Sequence, residues 1–213
     1  MRTRTALALS LLLILLTAAS SRADVFEFPE LWINSKAMSP EALRGKVVVL
    51  YFFEEDCPRC RGKWPGLLES VKKYEDEPVV FIGINSGNDE RSVQGYAKSV
   101  GLDWPTIVDT DRSFEKAAGV GTISTSNIWQ ARIITPDGKL VHADPGNLPG
   151  SVQQHIGAAR WRVDPKDMPE SLKPLWNAVE FGDYATAGPA LKRAQRSSDE
   201  SIRAFAEKLD AAV

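Results

Sequence analysis

The sequence predicts an α/β protein, a mixed sheet with helices on both faces, followed by a small C-terminal helical appendage. Three observations carry this. "KVVVLYFF" (46–53) and "PVVFIGINS" (78–86) are nearly continuous β-branched and aromatic runs, the pattern of strands buried on both faces. Helix-period segments alternate with the strands, and a hairpin pattern ends the series, which implies a sheet of mixed direction between helical layers. Past the proline-bearing stretch "WRVDPKDMPESLKP", the chain is Ala-rich and reads as helix to its end.

Each element has a local reason. Residues 24–40 look irregular. Ser39 then supplies an N-cap and Pro40 a first helical position, with Gly45 ending that short helix. After the 46–53 strand, Trp64, Leu67, Leu68 and Val71 repeat at helical spacing, and Pro65 marks either a kink or the true restart. The 78–86 strand stops at the turn cluster "NSGND". "ERSVQGYAKSVGL" is a helix closed by Gly101. "WPTIVDTD" gives a short strand and "RSFEKAAGV" a short helix. "NIWQARIITPDGKLVHAD" is a hairpin around Pro136, Asp137 and Gly138. "GSVQQHIGAAR" is the last helix of this unit. The expected division is a signal peptide at 1–23, an α/β domain at 24–159, a linker at 160–170 and a helical extension at 171–213. In the extension, Gly182 and Asp183 turn between two helices, and 197–199 caps a third. Its spacing resembles one tetratricopeptide-like hairpin. That architecture needs about three stacked units, so an appendage packed on the main domain is the better reading.

The N-terminus sets the compartment. Arg2 and Arg4 precede the apolar run "ALALSLLLILL", and Ser21 and Ala23 occupy the small positions before Asp24. This is the pattern of a secretory signal peptide, and the run is too short for a bilayer span of roughly 20 residues. The mature chain is expected to be exported, periplasmic or secreted, where disulfides persist. A hydrophobic fraction of 43% leaves ample material for a core. Removing Arg2, Arg4 and Arg22 leaves 23 basic against 28 acidic residues, a formal charge of −5. Nucleic-acid binding, which needs a basic surface, is not expected. No membrane span is expected in the mature chain.

Cys57 and Cys60, in "FFEEDCPRCRGKWP", are the only cysteines. Three readings are open: a staple, part of a metal site, or a redox pair. As a staple the loop is poor, since closing so few residues removes roughly 2 kcal/mol of unfolded-state entropy against roughly 3 for a 15-residue loop. A closed zinc site wants four ligands, and the only histidines, His142 and His155, are remote in sequence, although Glu54, Glu55 or Asp56 lie nearby. A redox pair needs an exposed, acidified first thiol and a second thiol close enough to resolve a mixed disulfide. A strand ending at Phe53, a turn, and Cys57 opening a helix meet this need, with Pro58 tolerated at the second helical position. Arg59, Arg61 and Lys63 favour the thiolate, whereas Glu54, Glu55 and Asp56 oppose it. The net sign is not legible at this level.

"LRGKVVVLYFFEEDCPRCRGKWP", "VVFIGINSGNDERSVQGYAKSVGLDWPTIVDTD" and "IITPDGKLV" resemble the thioredoxin-like superfamily, and within it the exported TlpA-like thiol-disulfide oxidoreductases. The resemblance covers about residues 38–159. It implies a thioredoxin-like fold, Cys57 as attacking thiolate and Cys60 as resolving thiol, in agreement with the redox reading. Three positions depart from the family pattern. Asp56 replaces an aromatic residue, Lys63 replaces a frequent Glu, and no proline lies between Asp111 and Thr135, where the family's cis-proline faces the cysteines. Trp129 falls near that place.

The expected function is thus exported thiol-disulfide exchange through Cys57 and Cys60, with no cofactor beyond that redox-active pair. Pro58, Arg59, Ile128 and Trp129 are the candidate substrate-facing residues. Expected partners are protein thiols or disulfides, and a further protein partner for the C-terminal helices. The alternatives are a non-enzymatic redoxin-fold interaction module, and a copper or zinc carrier using the same cysteines.

Overall fold

The computed structural model describes residues 27–213. The signal-peptide expectation lies outside these residues. The strands are β1 (Trp32–Ile33), β2 (Val47–Phe53), β3 (Val79–Ser86), β4 (Thr106–Asp109), β5 (Gln130–Ile134) and β6 (Leu140–Ala143), in the order β1-β4-β3-β2-β5-β6. β2, β3 and β4 run parallel, while β5 is antiparallel to β2, β6 to β5 and β1 to β4. The sheet is therefore mixed, as its sequence pattern implies. β1 falls in the stretch expected to be irregular. Two residues carry no readable alternation, and Trp32 and Ile33 become a strand only by pairing with Ile107 and Thr106.

The central strand explains the two-layer build. Every residue of β2 is buried. Val47, Val49, Tyr51 and Phe53 face one core, and Val48, Leu50 and Phe52 the other. The first core is covered by α3 (Trp64–Val71), α4 (Glu90–Val100) and α6 (Leu148–Gln153). The second is covered by α1 (Pro40–Leu43), α2 (Pro58–Arg61) and α5 (Ser113–Ala117). α2 and α3 are separate helices, so Pro65 marks a restart and occupies the first turn of α3. α6 begins before the "GSVQQHIGAAR" segment because Asn147 caps it, its side chain accepting from the Gly150 N–H at 3.0 Å.

The C-terminal helices are α7 (Lys173–Glu180), α8 (Tyr184–Ala194) and α9 (Glu200–Asp210), with their own core around Trp176, Val179, Ala187, Leu191, Phe205 and Leu209. Asp183 and Asp199 cap α8 and α9. The segment before α7 is no free tether. Trp161 packs edge-on to Trp176 at 4.9 Å, and Val163 is buried in the helical core. The extension is fastened to the sheet through Lys46, whose Nζ lies 2.5 Å from the Glu180 carboxylate, both side chains fully buried. The same carboxylate accepts the backbone N–H groups of Arg162 (2.9 Å) and Val163 (3.1 Å), and Lys46 also donates to the Ala42 carbonyl at 2.8 Å. Burial pulls the Lys46 ammonium below its ordinary pKa, against the opposing pull of Glu180.

Candidate active site

β2 delivers the chain to the site at Phe53, and the short α2 carries the cysteine pair. Cys57 has extended backbone angles and is the N-cap, so Pro58 stands at the first helical position, one earlier than its sequence reading. The Cys57 Sγ accepts the Cys60 N–H at 3.2 Å, and the two cysteines form a disulfide with Cα atoms 5.3 Å apart. Both are buried, each 6% exposed. This corrects the expectation of an exposed first cysteine. As the capping side chain, Cys57 turns its sulfur back toward α2, and both residues join the apolar core beside Phe52, Ile123 and Ile128.

Beside Cys60 lies a tight crevice with no room for a water molecule, lined by Tyr51, Phe53, Lys63, Trp64, Ile128 and Trp129. Ile128 and Trp129, expected from sequence to face the substrate, are thus brought to the cysteines. Ile128 is buried, whereas Trp129 is 38% exposed. Arg59 is exposed on α2 and does not line the crevice. The Lys63 ammonium sits 3.3 Å from the centre of the Trp129 ring, a close cation–π contact. Burial raises the Tyr51 hydroxyl to a pKa of about 12, with Tyr96 adding to the effect.

The charges around the motif are sorted by the fold. Glu54 turns inward. Its carboxylate pairs with Arg112 at 3.2 Å and accepts from Asn88 at 3.3 Å. Burial is the largest influence on Glu54 and leaves its pKa raised. Arg59, Arg61 and Lys63 all remain at the surface, Arg61 lying over the Tyr96 ring at 4.9 Å and donating to Ser99 at 2.7 Å. Asp56 is exposed, but Glu54 is withdrawn from the rim and Glu55 half-withdrawn, so basic groups predominate there.

Sequence reasoning did not find the support behind the Ile128–Trp129 loop. Arg112 bridges Glu54 and the buried Glu115, and also donates to the Ile123 carbonyl at 3.3 Å. Glu115 accepts the Ile123 N–H at 3.4 Å. Asp109 accepts Ser86 at 2.9 Å and the N–H groups of Phe114 and Glu115 at 3.0 and 2.9 Å. The links from Arg112 to Glu54 and from Asp109 to Ser86 join residues 58 and 23 positions apart, and the rest lie within 109–123, where no motif announces them. Among the described residues, no group of three or more His, Cys, Asp or Glu side chains is placed to hold a metal ion. His142 lies exposed on β6.

A mixed sheet with helices on both faces and a C-x-x-C disulfide at a helix start define the class as a thioredoxin-fold protein. The solved structures agree. The MTB dsbF structure matches with a TM-score of 0.50 at 20% identity, covering 61% of this chain and 95% of that one. A secreted disulfide oxidoreductase of Mycobacterium tuberculosis matches with a TM-score of 0.50 at 19% identity, covering 62% and 98%. At such identities the likeness concerns the fold alone.

The redoxin family model matches residues 18–156, and the chain belongs to that family. Among its relatives is the thiol-disulfide oxidoreductase ResA of Bacillus subtilis, 29% identical over 119 residues, which are 56% of this chain and 64% of that protein. The protein of the same name from Geobacillus kaustophilus is 30% identical over 131 residues, covering 62% and 66%. The chain thus spans slightly less than two thirds of the length of each. Among the described residues, no helix is long and apolar enough to cross a membrane.

Proposed function

We propose that this protein is an exported thiol-disulfide oxidoreductase acting through Cys57 and Cys60. The observation that carries the reading is the disulfide itself, closed across the first turn of α2 with Cys57 as N-cap, in a chain of the redoxin family. In the reduced protein the Cys57 thiolate attacks one sulfur of a substrate disulfide. A mixed disulfide forms and the other substrate sulfur leaves as thiolate. The Cys60 thiolate then attacks the Cys57 sulfur, closing the internal disulfide and releasing the second substrate thiolate. Two electrons pass from the cysteine pair to the substrate, and the same steps run in reverse when the substrate is a dithiol. The α2 N–H groups and the basic rim of Arg59 and Lys63 favour the Cys57 thiolate. Substrates are protein thiols or disulfides. Export rests on the pattern of Arg2, Arg4, the apolar run and Ala23.

The non-catalytic interaction module is the second reading, favoured by one observation. Trp129 and Lys63, at the positions where the family resemblance would put a proline loop and a Glu, stack on each other beside Cys60. Cys57→Ser separates the two. Loss of disulfide exchange in a protein of unchanged fold supports the oxidoreductase, and a wild type with no exchange activity removes it.

A further inference from the structure

The helical extension carries a surface that disulfide exchange does not use. Residues 184–198 contain Lys192, Arg193 and Arg196 and no Asp or Glu, in a chain whose acids outnumber its bases. Pro189, Lys192, Arg193 and Arg196 fall at i, i+3, i+4 and i+7 along α8 and its C-terminal end, which places them on one stripe. The buried stripe of Ala187, Leu191 and Ala194 faces the helical core. The basic stripe forms one wall of an open groove. Leu172, before α7, and Ile202, on α9, contribute apolar surface to the other walls.

None of the three bases is spent inside the molecule. They are exposed, and no ion pair among the described residues engages them. The nearest acids in sequence, Asp199 and Glu200, do not line the groove. Asp199 is committed to the start of α9, accepting from the N–H groups of Ser201 at 2.8 Å and Ile202 at 3.4 Å.

We propose that this groove docks an acidic amphipathic segment of a partner protein, laid as a helix along α8. Charge complementarity selects the occupant. Three unpaired cations beside an apolar trough match a helix with Leu-type residues on one face and carboxylates flanking them. A broad polyanion is a poorer match, because the whole chain is net negative and repels an extended anionic surface beyond this one patch. The groove lies on the extension and involves neither cysteine, so the proposal stands or falls independently of the oxidoreductase reading.

The test uses the whole chain and a fluorescein-labelled peptide of about 16 residues with Leu at helical spacing and Glu elsewhere. The same peptide with Lys in place of Glu is the control. Anisotropy should show saturable binding of the Glu peptide alone, weakening about tenfold or more between about 50 and about 300 mM salt. The triple variant K192E/R193E/R196E, with unchanged circular dichroism, should lose at least about tenfold in affinity. Should the triple variant misfold, Lys192→Glu and Arg196→Glu singly should each weaken binding by about threefold or more. Absence of saturable binding, or equal binding by charge-reversed variants that fold, overturns the proposal. It is also overturned if phosphatidylglycerol vesicles bind through these three residues while the peptide does not.

Discussion

The Nζ of Lys63 lies 3.3 Å from the centre of the Trp129 ring, and these two side chains line the tight crevice beside Cys60. One residue comes from the link between α2 and α3, the other from the turn into β5, so the contact ties the cysteine segment to the loop opposite it. If Trp129 is the platform for polypeptide substrates, its removal should discriminate by substrate size. Trp129→Ala is expected to lower kcat/KM for a protein disulfide by about tenfold, consistent with the loss of roughly 1.4 kcal/mol of transition-state binding. Reduction of a small aliphatic disulfide should change much less. Equal loss on both substrates would assign Trp129 to support of the cysteines instead. A double-mutant cycle with Lys63→Ala should return a stability coupling of about 0.5–1 kcal/mol, the range for an exposed cation–π pair.

Ile128 and Trp129 were legible as an apolar pair near the site only through the family resemblance, which sets a proline loop opposite the cysteines at a position counted back from the turn at Pro136, Asp137 and Gly138. The cysteine helix was legible from the residue pattern itself. A fully apolar strand, β2, stops where the sheet ends, and Cys57 follows within a few residues. The sorting of charges was not legible. Whether Glu54 points out or in depends on Arg112, 58 residues away, and on Asn88. The burial of Cys57 was likewise hidden, because it follows from a capping geometry and not from residue type. The segment before α7 looked like a linker from its prolines. Its attachment depends on Glu180, whose carboxylate accepts the Arg162 and Val163 N–H groups and pairs with Lys46, the residue before β2.

That buried pair gives a stability prediction. Glu180→Ala strands the Lys46 ammonium in an apolar setting beside Trp161 and Phe181 and strips the acceptor from two backbone N–H groups. Breaking one side of a buried pair costs about 3–5 kcal/mol. Denaturant unfolding should show this loss, and limited proteolysis should open the chain first between 160 and 172. Lys46→Met combined with Glu180→Leu removes both charges and should recover a large part of the stability. A cost below about 1 kcal/mol for Glu180→Ala would mean that the extension is held by apolar packing alone.

Tyr51 gives a pH prediction. Its hydroxyl titrates near 12 in the folded protein, raised from 10.0 chiefly by burial. Between these values the folded state keeps a proton that the unfolded state has released, so this residue's contribution to stability is present below pH 10 and is lost as pH rises toward 12. The stability difference between wild type and Tyr51→Phe should therefore shift against the wild type from about pH 10 upward and stay flat from about pH 7 to 9. Denaturant titrations of both proteins across this range check the sign, and the difference cancels the other alkaline titrations. A flat difference at all pH values would place Tyr51 in an environment no drier than water.

The redox potential of the Cys57–Cys60 pair decides whether the disulfide is a reagent or a fixture. Equilibration in glutathione buffers, read by thiol alkylation and mass shift, should place it above about −300 mV, the region of exchangeable pairs. A value around −220 to −280 mV would mark a thioredoxin-like reductant, and one near −180 mV or higher an oxidant or isomerase. The basic rim pushes in the second direction, because cations near the cysteines stabilise the reduced thiolate more than the neutral disulfide. Lys63→Glu, which replaces a cation lining the Cys60 crevice with an anion, should therefore move the potential to more negative values. Cys57→Ser should abolish exchange altogether. A pair that remains oxidised well below about −300 mV would behave as a structural disulfide and return the protein to the interaction-module reading.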